Sequence, residues 1–311
     1  MTPEFIFESA PFASCHASTI EVVNGAPTAA WFGGTEEGNP DVGIWVSHRQ
    51  DGAWTPPREM ADGIQADGAR FPCWNPVLFQ PSQGPLLHFY KVGPNPRAWW
   101  GMLMRSSDGG RSWSSPDRLP DGILGPIKNK PMELPGGEML CPSSDEQDGW
   151  RIHFERTADA GKTWHSTGPI NDGREIGAIQ PSLLRHGDGR LQAIGRTLQG
   201  RLFSTVSGDL GQTWSALTLL DVPNPNSGAD AVTLRDGRHL LINNPNATAR
   251  TPLTLALSEN GLDWRTVATL EQEEGEYSYP AIVQAPDGSV HVTYTWRRRR
   301  IKYATFDPSC L

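Results

Sequence analysis

Ser106-Ser107-Asp108-Gly109-Gly110-Arg111-Ser112-Trp113 decides the fold, because it has the form S/T-x-D-x-G-x-x-W and the chain repeats it. The form returns as Thr157-Ala-Asp159-Ala-Gly161-Lys-Thr-Trp164 and as Ser207-Gly-Asp209-Leu-Gly211-Gln-Thr-Trp214. Weaker copies flank these three. Ser47 to Trp54 keeps the outer spacing without the Asp and Gly, and Ser258-Glu-Asn260-Gly261-Leu-Asp-Trp264 is one residue short. The five tryptophans lie 59, 51, 50 and 50 residues apart. Such a period is the mark of stacked supersecondary units.

The box has a local logic. Its hydroxyl and carboxylate can bond turn amides, its Gly permits positive φ, and its Trp can pack beneath the turn. It therefore reads as a structural turn between strands. Each period also carries a hairpin signal, with Asp188-Gly189, Asp236-Gly237 and Asp287-Gly288 set between apolar stretches. Four strands in about 50 residues make one propeller blade. Five periods hold a box or its remnant, and a sixth begins at Tyr277 with room for only three strands. The fold expected is an all-β, six-bladed β-propeller, one domain over 1–311. Its missing outer strand is assigned to Glu4 to Glu8, so that the two chain ends close the ring.

The composition agrees, with 33 Gly, 27 Pro and 12 Trp in 311 residues suiting short strands, tight turns and aromatic packing. A net charge of −8 argues against a general affinity for nucleic acid or anionic membranes. No apolar run reaches the length of a membrane span, and no leader is evident at Met1, so a cytoplasmic protein is expected. Cys15, Cys73, Cys141 and Cys310 show no metal-ligand spacing and read as free thiols, with no metal and no cofactor expected.

The leading ends of the innermost strands face a shared funnel. They carry His16, Trp74, Asn75, Lys128, Lys130, Gln180, Asp230, Tyr277 and Tyr279. Lysines and arginines converging there would make an anion site. The run Arg297-Arg298-Arg299-Arg300 sits in a strand-like stretch, His291 to Thr305, so alternate side chains should face opposite ways, with Arg297 a candidate for an anionic ligand. Trp31, Trp74, Trp99 and Trp100 could stack on sugar faces.

Across nearly its whole length the repeat pattern resembles that of sialidases and their bacterial sialidase-like relatives. The stretch Glu276-Tyr277-Ser278-Tyr279-Pro280-Ala281 is similar to the one that bears the sialidase nucleophile, which implies Tyr277 for that role. Asp41, six residues before Ser47, has the spacing of the family's acid/base Asp. Arg196 and Arg250 resemble two arginines of its carboxylate clamp. Two departures stand out. Cys15-His16 occupies the place of the clamp's first arginine, and Gln180 that of the Glu that activates the tyrosine, leaving Glu276 or Asp230 as the carboxylates to replace it.

These residues imply an exo-acting glycoside hydrolase that removes a terminal acidic sugar from an oligosaccharide, without nucleic acid or membrane partners. Asp41 would act as acid and Tyr277 as nucleophile, while Arg196 and Arg250 hold the carboxylate beside Lys128 and Lys130. The alternative enzyme is a lyase on a uronic acid such as rhamnosyl-glucuronate, with His16 or Tyr277 as base. The loss of the activating Glu also leaves open a sugar-binding propeller without catalysis.

Overall fold

In a computed structural model describing residues 3–311, six antiparallel sheets surround one axis. Their innermost strands are Ser14–Val23, Cys73–Phe79, Met132–Glu133, Ala178–Arg185, Asp230–Thr233 and Tyr277–Gln284, in blades one to six. Blades two to five each run outward through four consecutive strands, as in Ala178–Arg185, Leu191–Thr197, Arg201–Ser207 and Thr218–Pro223 of blade four. Blade one adds a short fifth strand. The single helical turn among the described residues is Pro308–Cys310.

Blade six is closed by Glu4–Phe5, which pairs antiparallel with Arg300–Phe306 in the register Glu4 to Tyr303 and Phe5 to Lys302. Two residues thus form the strand expected over five, and Ile6 N–H still donates to Ile301 O at 2.9 Å. Arg300 lies 3.5 Å from the centroid of the Phe5 ring and pairs with Glu8 at 2.6 Å, fastening the junction from outside.

The boxes behave as their chemistry dictates. Asp209 accepts from Ser207 Oγ at 2.7 Å, Thr213 N at 2.9 Å and Thr213 Oγ1 at 2.6 Å, and Trp214 Nε1 donates to Gly211 O at 3.2 Å. These bonds favour the ionised carboxylate and hold Asp209 down at about 2. The short copy reaches the same end with Asn260 in place of the Asp, Trp264 Nε1 meeting Gly261 O at 3.2 Å. Blade one does not: its turn is Asp51-Gly52, and Trp54 Nε1 meets Glu4 on the closing strand of blade six at 3.3 Å. Because each box follows the third strand of its blade, it sits at the opposite end of the axis from the start of the first strand.

Core packing lies between neighbouring sheets. Leu140, Ile152 and Phe154 of blade three meet Leu183, Ala193 and Phe203 of blade four, and Trp214 stacks on Phe154 with centroids 4.1 Å apart. The basic run differs from its expectation. Trp296 pairs with Arg300, so Arg297 to Arg299 form a hairpin turn, with Arg297 at φ 51° and Arg298 at φ 58°. All four cysteines are free thiols. Among the described residues no helix is long and apolar enough to cross a membrane.

Candidate active site at the upper end of the axis

Four innermost strands break their register within a few residues of their start, between His16 and Thr19, Trp74 and Val77, Ile179 and Ser182, and Ser278 and Ala281. At each bulge one residue is left-handed: Ala17 (φ 54°), Asn75 (φ 39°), Gln180 (φ 57°) and Tyr279 (φ 49°). In three of them a proline follows, as Pro76, Pro181 and Pro280. Left-handed backbone is unfavourable for Ala, Gln and Tyr, though Asn tolerates it. Bulges interrupt the alternation of a strand and re-aim its side chains.

Tyr279 is the hub of the resulting group. The His16 ring lies 4.2 Å from it, and the Arg196 and Arg250 guanidinium carbons lie 5.3 and 6.0 Å from its centroid. Gly228 packs against the ring, since a Cβ there would come within 3.1 Å of Tyr279 Cδ2 and 3.2 Å of Lys128 Cε. Lys128 is buried, and its Nζ donates to Asn129 Oδ1 at 2.7 Å, to Ala229 O at 3.1 Å and to Pro280 O. Burial is the main reason its ammonium is pulled down to about 8, against the opposing pull of Asp230. Asn129 Nδ2 reaches Gln180 O at 3.0 Å, tying blades three and four together beneath the group.

His16 Nδ1 meets Thr295 Oγ1 at 3.1 Å, and its Nε2 is buried without a partner. Burial, then Arg298, Arg250, Arg196 and Lys128, push its pKa well below the ordinary value, so the ring is neutral. Arg196 stacks on Trp150 at 4.9 Å and donates to Asn226 O at 3.3 Å, while its Nε has no partner. Gln180 Oε1 and Asn226 Oδ1 are buried acceptors without donors. Such groups are costly unless something supplies the missing bond.

Glu276 joins the cations across the rim. Its Oε1 accepts from Arg250 at 2.8 Å, Arg298 Nε at 2.7 Å and Ser278 Oγ at 3.1 Å. Burial alone would raise this carboxyl, but Arg298 and Arg250 outweigh it and hold it below the usual range. Arg298 also pairs with Glu37, and its carbonyl receives Cys15 N–H at 2.9 Å. A second carboxyl, Glu146, is raised by burial despite Arg196 and Arg97 nearby.

The structure therefore brings together His16, Lys128, Gln180, Arg196, Arg250, Glu276 and Tyr279, with Asn75 at an equivalent bulge. Several expected members lie elsewhere. Tyr277 is fully buried between blades five and six among Leu253, Ile282 and Tyr294, and its hydroxyl receives Arg297 Nη2 at 3.3 Å. Arg297 itself lies over Trp296 and donates to Glu274 O at 3.0 Å, in the turn between the second and third strands of that blade. Both carboxylate oxygens of Asp41 are engaged by Thr35, through N and Oγ1 at 2.9 Å each, closing a rim loop. Lys130 reaches down the axis to Thr19 Oγ1 and Leu78 O, both at 3.4 Å. Asp230 is consumed by Ser182 Oγ, Ala231 N and Ile282 N. Trp74 donates to Gly93 O at 2.8 Å and packs on Trp99. Arg298, Glu146, Trp150 and Asn226 were not singled out from sequence, although Arg298 stood inside the quoted basic run. Among the described residues no cluster of His, Cys, Asp or Glu could hold a metal ion.

Residues 25–292 match the BNR repeat-like domain family. Among solved structures, a Dyadobacter fermentans protein of unknown function is 20% identical, with a TM-score of 0.80 over 98% of this chain and 97% of that one. A Hadza microbial sialidase is 18% identical at a TM-score of 0.81, covering 96% of this chain and 66% of that one. The NanB sialidase of Streptococcus pneumoniae is 12% identical at 0.81, covering 98% and 70%. A Penicillium chrysogenum α-L-arabinanase, complexed with arabinobiose, is 17% identical at 0.73, covering 99% and 98%. Among curated protein sequences none matches.

Proposed function

From the premise that this chain belongs to the BNR repeat-like domain family, we propose that it cleaves the glycosidic bond of a terminal acidic sugar bound at the upper end of the axis. The observation that carries this reading is the placement of two guanidinium groups, Arg196 and Arg250, on one tyrosine ring with His16 against the same ring. Paired guanidinium groups suit the geometry of a carboxylate. The unpartnered Arg196 Nε, Gln180 Oε1, Asn226 Oδ1 and His16 Nε2 then supply donors and acceptors of the kind a polyhydroxylated ring needs.

In the hydrolytic mechanism Arg196 and Arg250 hold the sugar carboxylate, and Lys128 adds positive charge beneath it. The Tyr279 hydroxyl faces the anomeric carbon and stabilises the oxocarbenium-like transition state. Glu146, whose carboxyl burial raises, donates the proton to the leaving oxygen as a water adds to the anomeric carbon, while Glu276 stays ionised between its arginines. Carboxyls pushed in opposite directions are the usual division between acid and base. Asp41 and Tyr277 have no part in this scheme, since their polar atoms are engaged elsewhere.

One observation favours a second reading, elimination from a uronic acid. His16 is neutral, has a free nitrogen and touches Tyr279. It would take the C5 proton, a C4–C5 double bond would form as the C4–O bond breaks, and Tyr279 would protonate the leaving oxygen. Incubation with sialosides, uronosides and rhamnosyl-uronate oligosaccharides, read by mass and ultraviolet absorbance, separates the two. Hydrolysis adds one water across the broken bond; elimination gives an unsaturated, absorbing product. Failure of every acidic sugar to bind or turn over would overturn the proposal.

A further inference from the structure

At the lower end of the axis, away from the group around Tyr279, a cavity of about 470 Å³ opens among blades three to six. Its origin is in strand length. The innermost strands of blades three and five, Met132–Glu133 and Asp230–Thr233, have two and four residues, against eight for Ala178–Arg185 of blade four between them. The inner wall is therefore thin on either side of blade four, and the axis widens there. Such a volume falls within the range of small-molecule pockets.

Along the strands that line the cavity, Ser182 and Asp230 come first, at its inner end beside Lys130. Met132, Leu183, Val232 and Ile282 make its walls mainly apolar, and Arg185 and Arg235 stand at its mouth. The charges of the inner end are answered within the protein. Asp230 accepts from Ser182 Oγ, Ala231 N and Ile282 N, and Lys130 lies in the field of both Asp230 and the buried Glu21.

The mouth is different. Each of two hairpin turns there carries one arginine with a carboxylate and one without. Arg190 pairs with Asp188, and Arg238 with Asp236, both at 2.7 Å. Arg185 gives a single side-chain hydrogen bond, from Nη2 to Glu133 O at 3.0 Å. Arg235 likewise gives one, from Nη2 to Ala285 O at 2.9 Å. Glu133 turns its carboxylate away, to Ser82 N at 2.7 Å and to Ser82 Oγ. Among the described residues neither guanidinium has a carboxylate partner. Arg185 is half-buried and Arg235 exposed, so their remaining N–H groups are open to an incoming acceptor.

Two uncompensated cations above apolar walls define what fits: anionic oxygens at the rim and an apolar body inside. Guanidinium groups take carboxylates and phosphates alike. A polyhydroxylated ring does not fit, since its hydroxyls would lose water against walls that return few hydrogen bonds.

We propose that the lower mouth of the propeller is a second binding site, which takes a small organic anion, a carboxylate or phosphate ester carrying an apolar body. It lies at the opposite end of the axis from the sugar site and does not rest on that reading.

The test is nuclear magnetic resonance of full-length protein labelled with ¹³C-methyl methionine, in which the Met132 signal is identified by its loss in Met132→Leu. The probes are benzoate and phenyl phosphate, with inorganic phosphate and benzyl alcohol as the two halves. Benzoate and phenyl phosphate should move the Met132 signal, with equal affinity in wild type and Arg196→Met. Combining Arg185→Gln with Arg235→Gln should weaken that binding about tenfold or more, as the loss of charge-assisted hydrogen bonds requires, without lowering the thermal midpoint. Each half alone should bind about tenfold more weakly than the probe that joins them. The tighter of the two anions supports the site and names its head group. Should the double variant fail to fold, Arg235→Gln, at an exposed side chain, carries the test with a severalfold loss. The proposal is overturned if neither anion moves the Met132 signal, or if the arginine variants bind as wild type does. It is equally overturned if benzyl alcohol or phosphate binds as tightly as the joined probes, or if the movement disappears in Arg196→Met.

Discussion

Replacing Arg196 with Met should cost the protein its ligand and make it more stable. Arg196 is 6% exposed, stacks between Trp150 and Tyr279, and makes a single hydrogen bond, at 3.3 Å to Asn226 O. Its Nε has none. A buried charge so poorly partnered is a burden on the fold, and a long apolar side chain of similar volume relieves it, by roughly 1–2 kcal/mol. The Met sulfur would also sit well against the Trp150 indole. Binding goes the other way. Two charge-assisted hydrogen bonds to a carboxylate, at about 1.5–3 kcal/mol each, amount to a loss of roughly a hundredfold to ten-thousandfold in affinity. Arg196→Lys keeps the charge without the planar fork and should fall between wild type and Met. Titration calorimetry with glucuronic and N-acetylneuraminic acids gives the affinity, and urea unfolding gives the stability. Retained affinity for an acid that binds wild type would refute the clamp. Lost affinity with lowered stability would show instead that Arg196 is there to support the blade.

Three further outcomes are expected. Tyr279→Phe should lower kcat by about 10²–10⁴, the usual span for a group acting on a proton or charge in the transition state, whereas Tyr277→Phe should stay within about twofold; steady-state kinetics on the substrate identified above reads both. Affinity for an acidic sugar should be full below pH 8 and fall as Lys128 loses its proton through about 8. The lysine's folded pKa is depressed, so stability should rise with pH from about 8 up to the ordinary lysine value of about 10.4, where the unfolded chain also loses the proton; calorimetry and urea melts across pH should show both trends in wild type and neither in Lys128→Met. Gly211→Ala should destabilise by about 2–4 kcal/mol, from its φ of 81° and a Cβ 2.7 Å from Leu140 Cδ2. Gly189→Ala, at φ 88° with nothing within 4 Å, should lose only the backbone share, about 1–2 kcal/mol by urea unfolding.

The propeller was legible because its determinants are local. A box needs only its own eight residues to close its turn, so Ser106 to Trp113 and its copies announce blade after blade, and the Asp-Gly pairs announce the hairpins. The axial group was harder to read for a specific reason. Tyr277 and Tyr279 are two apart on one strand, and regular alternation would send them to the same side. The bulge at Tyr279 breaks that alternation, leaving Tyr277 between blades and turning Tyr279 to the axis. Lys128 and Lys130 also part, but without a bulge: they lie in the bends before Met132–Glu133, one bonding Pro280 O and the other Leu78 O. The arginine run misled through its turn: a three-residue hairpin with two left-handed arginines carries no glycine to betray it, and it delivers Arg298 to Glu276 while Arg297 bonds Glu274 O and the Tyr277 hydroxyl. Glu146 and Trp150 could not be placed from spacing at all, since they depend on where the end of one strand and the start of the next fall around the ring.

The closure of blade six has a mechanical side. Glu4 pairs with Tyr303 and Phe5 with Lys302, so handles before Glu4 and after Phe306 would emerge from the same end of that antiparallel pair. Tension between them loads the ladder bonds one at a time, as in a zipper, rather than all at once in shear. Two registered residues offer little resistance in that geometry. Once they part, the ring is held only by the direct packing of blade one on blade six, Ile20, Ala29 and Trp31 against Ala281, Ile301 and Tyr303. The strand that completes the last sheet is thus the part of the closure that force releases first, and the apolar seam behind it is the part that keeps the circle.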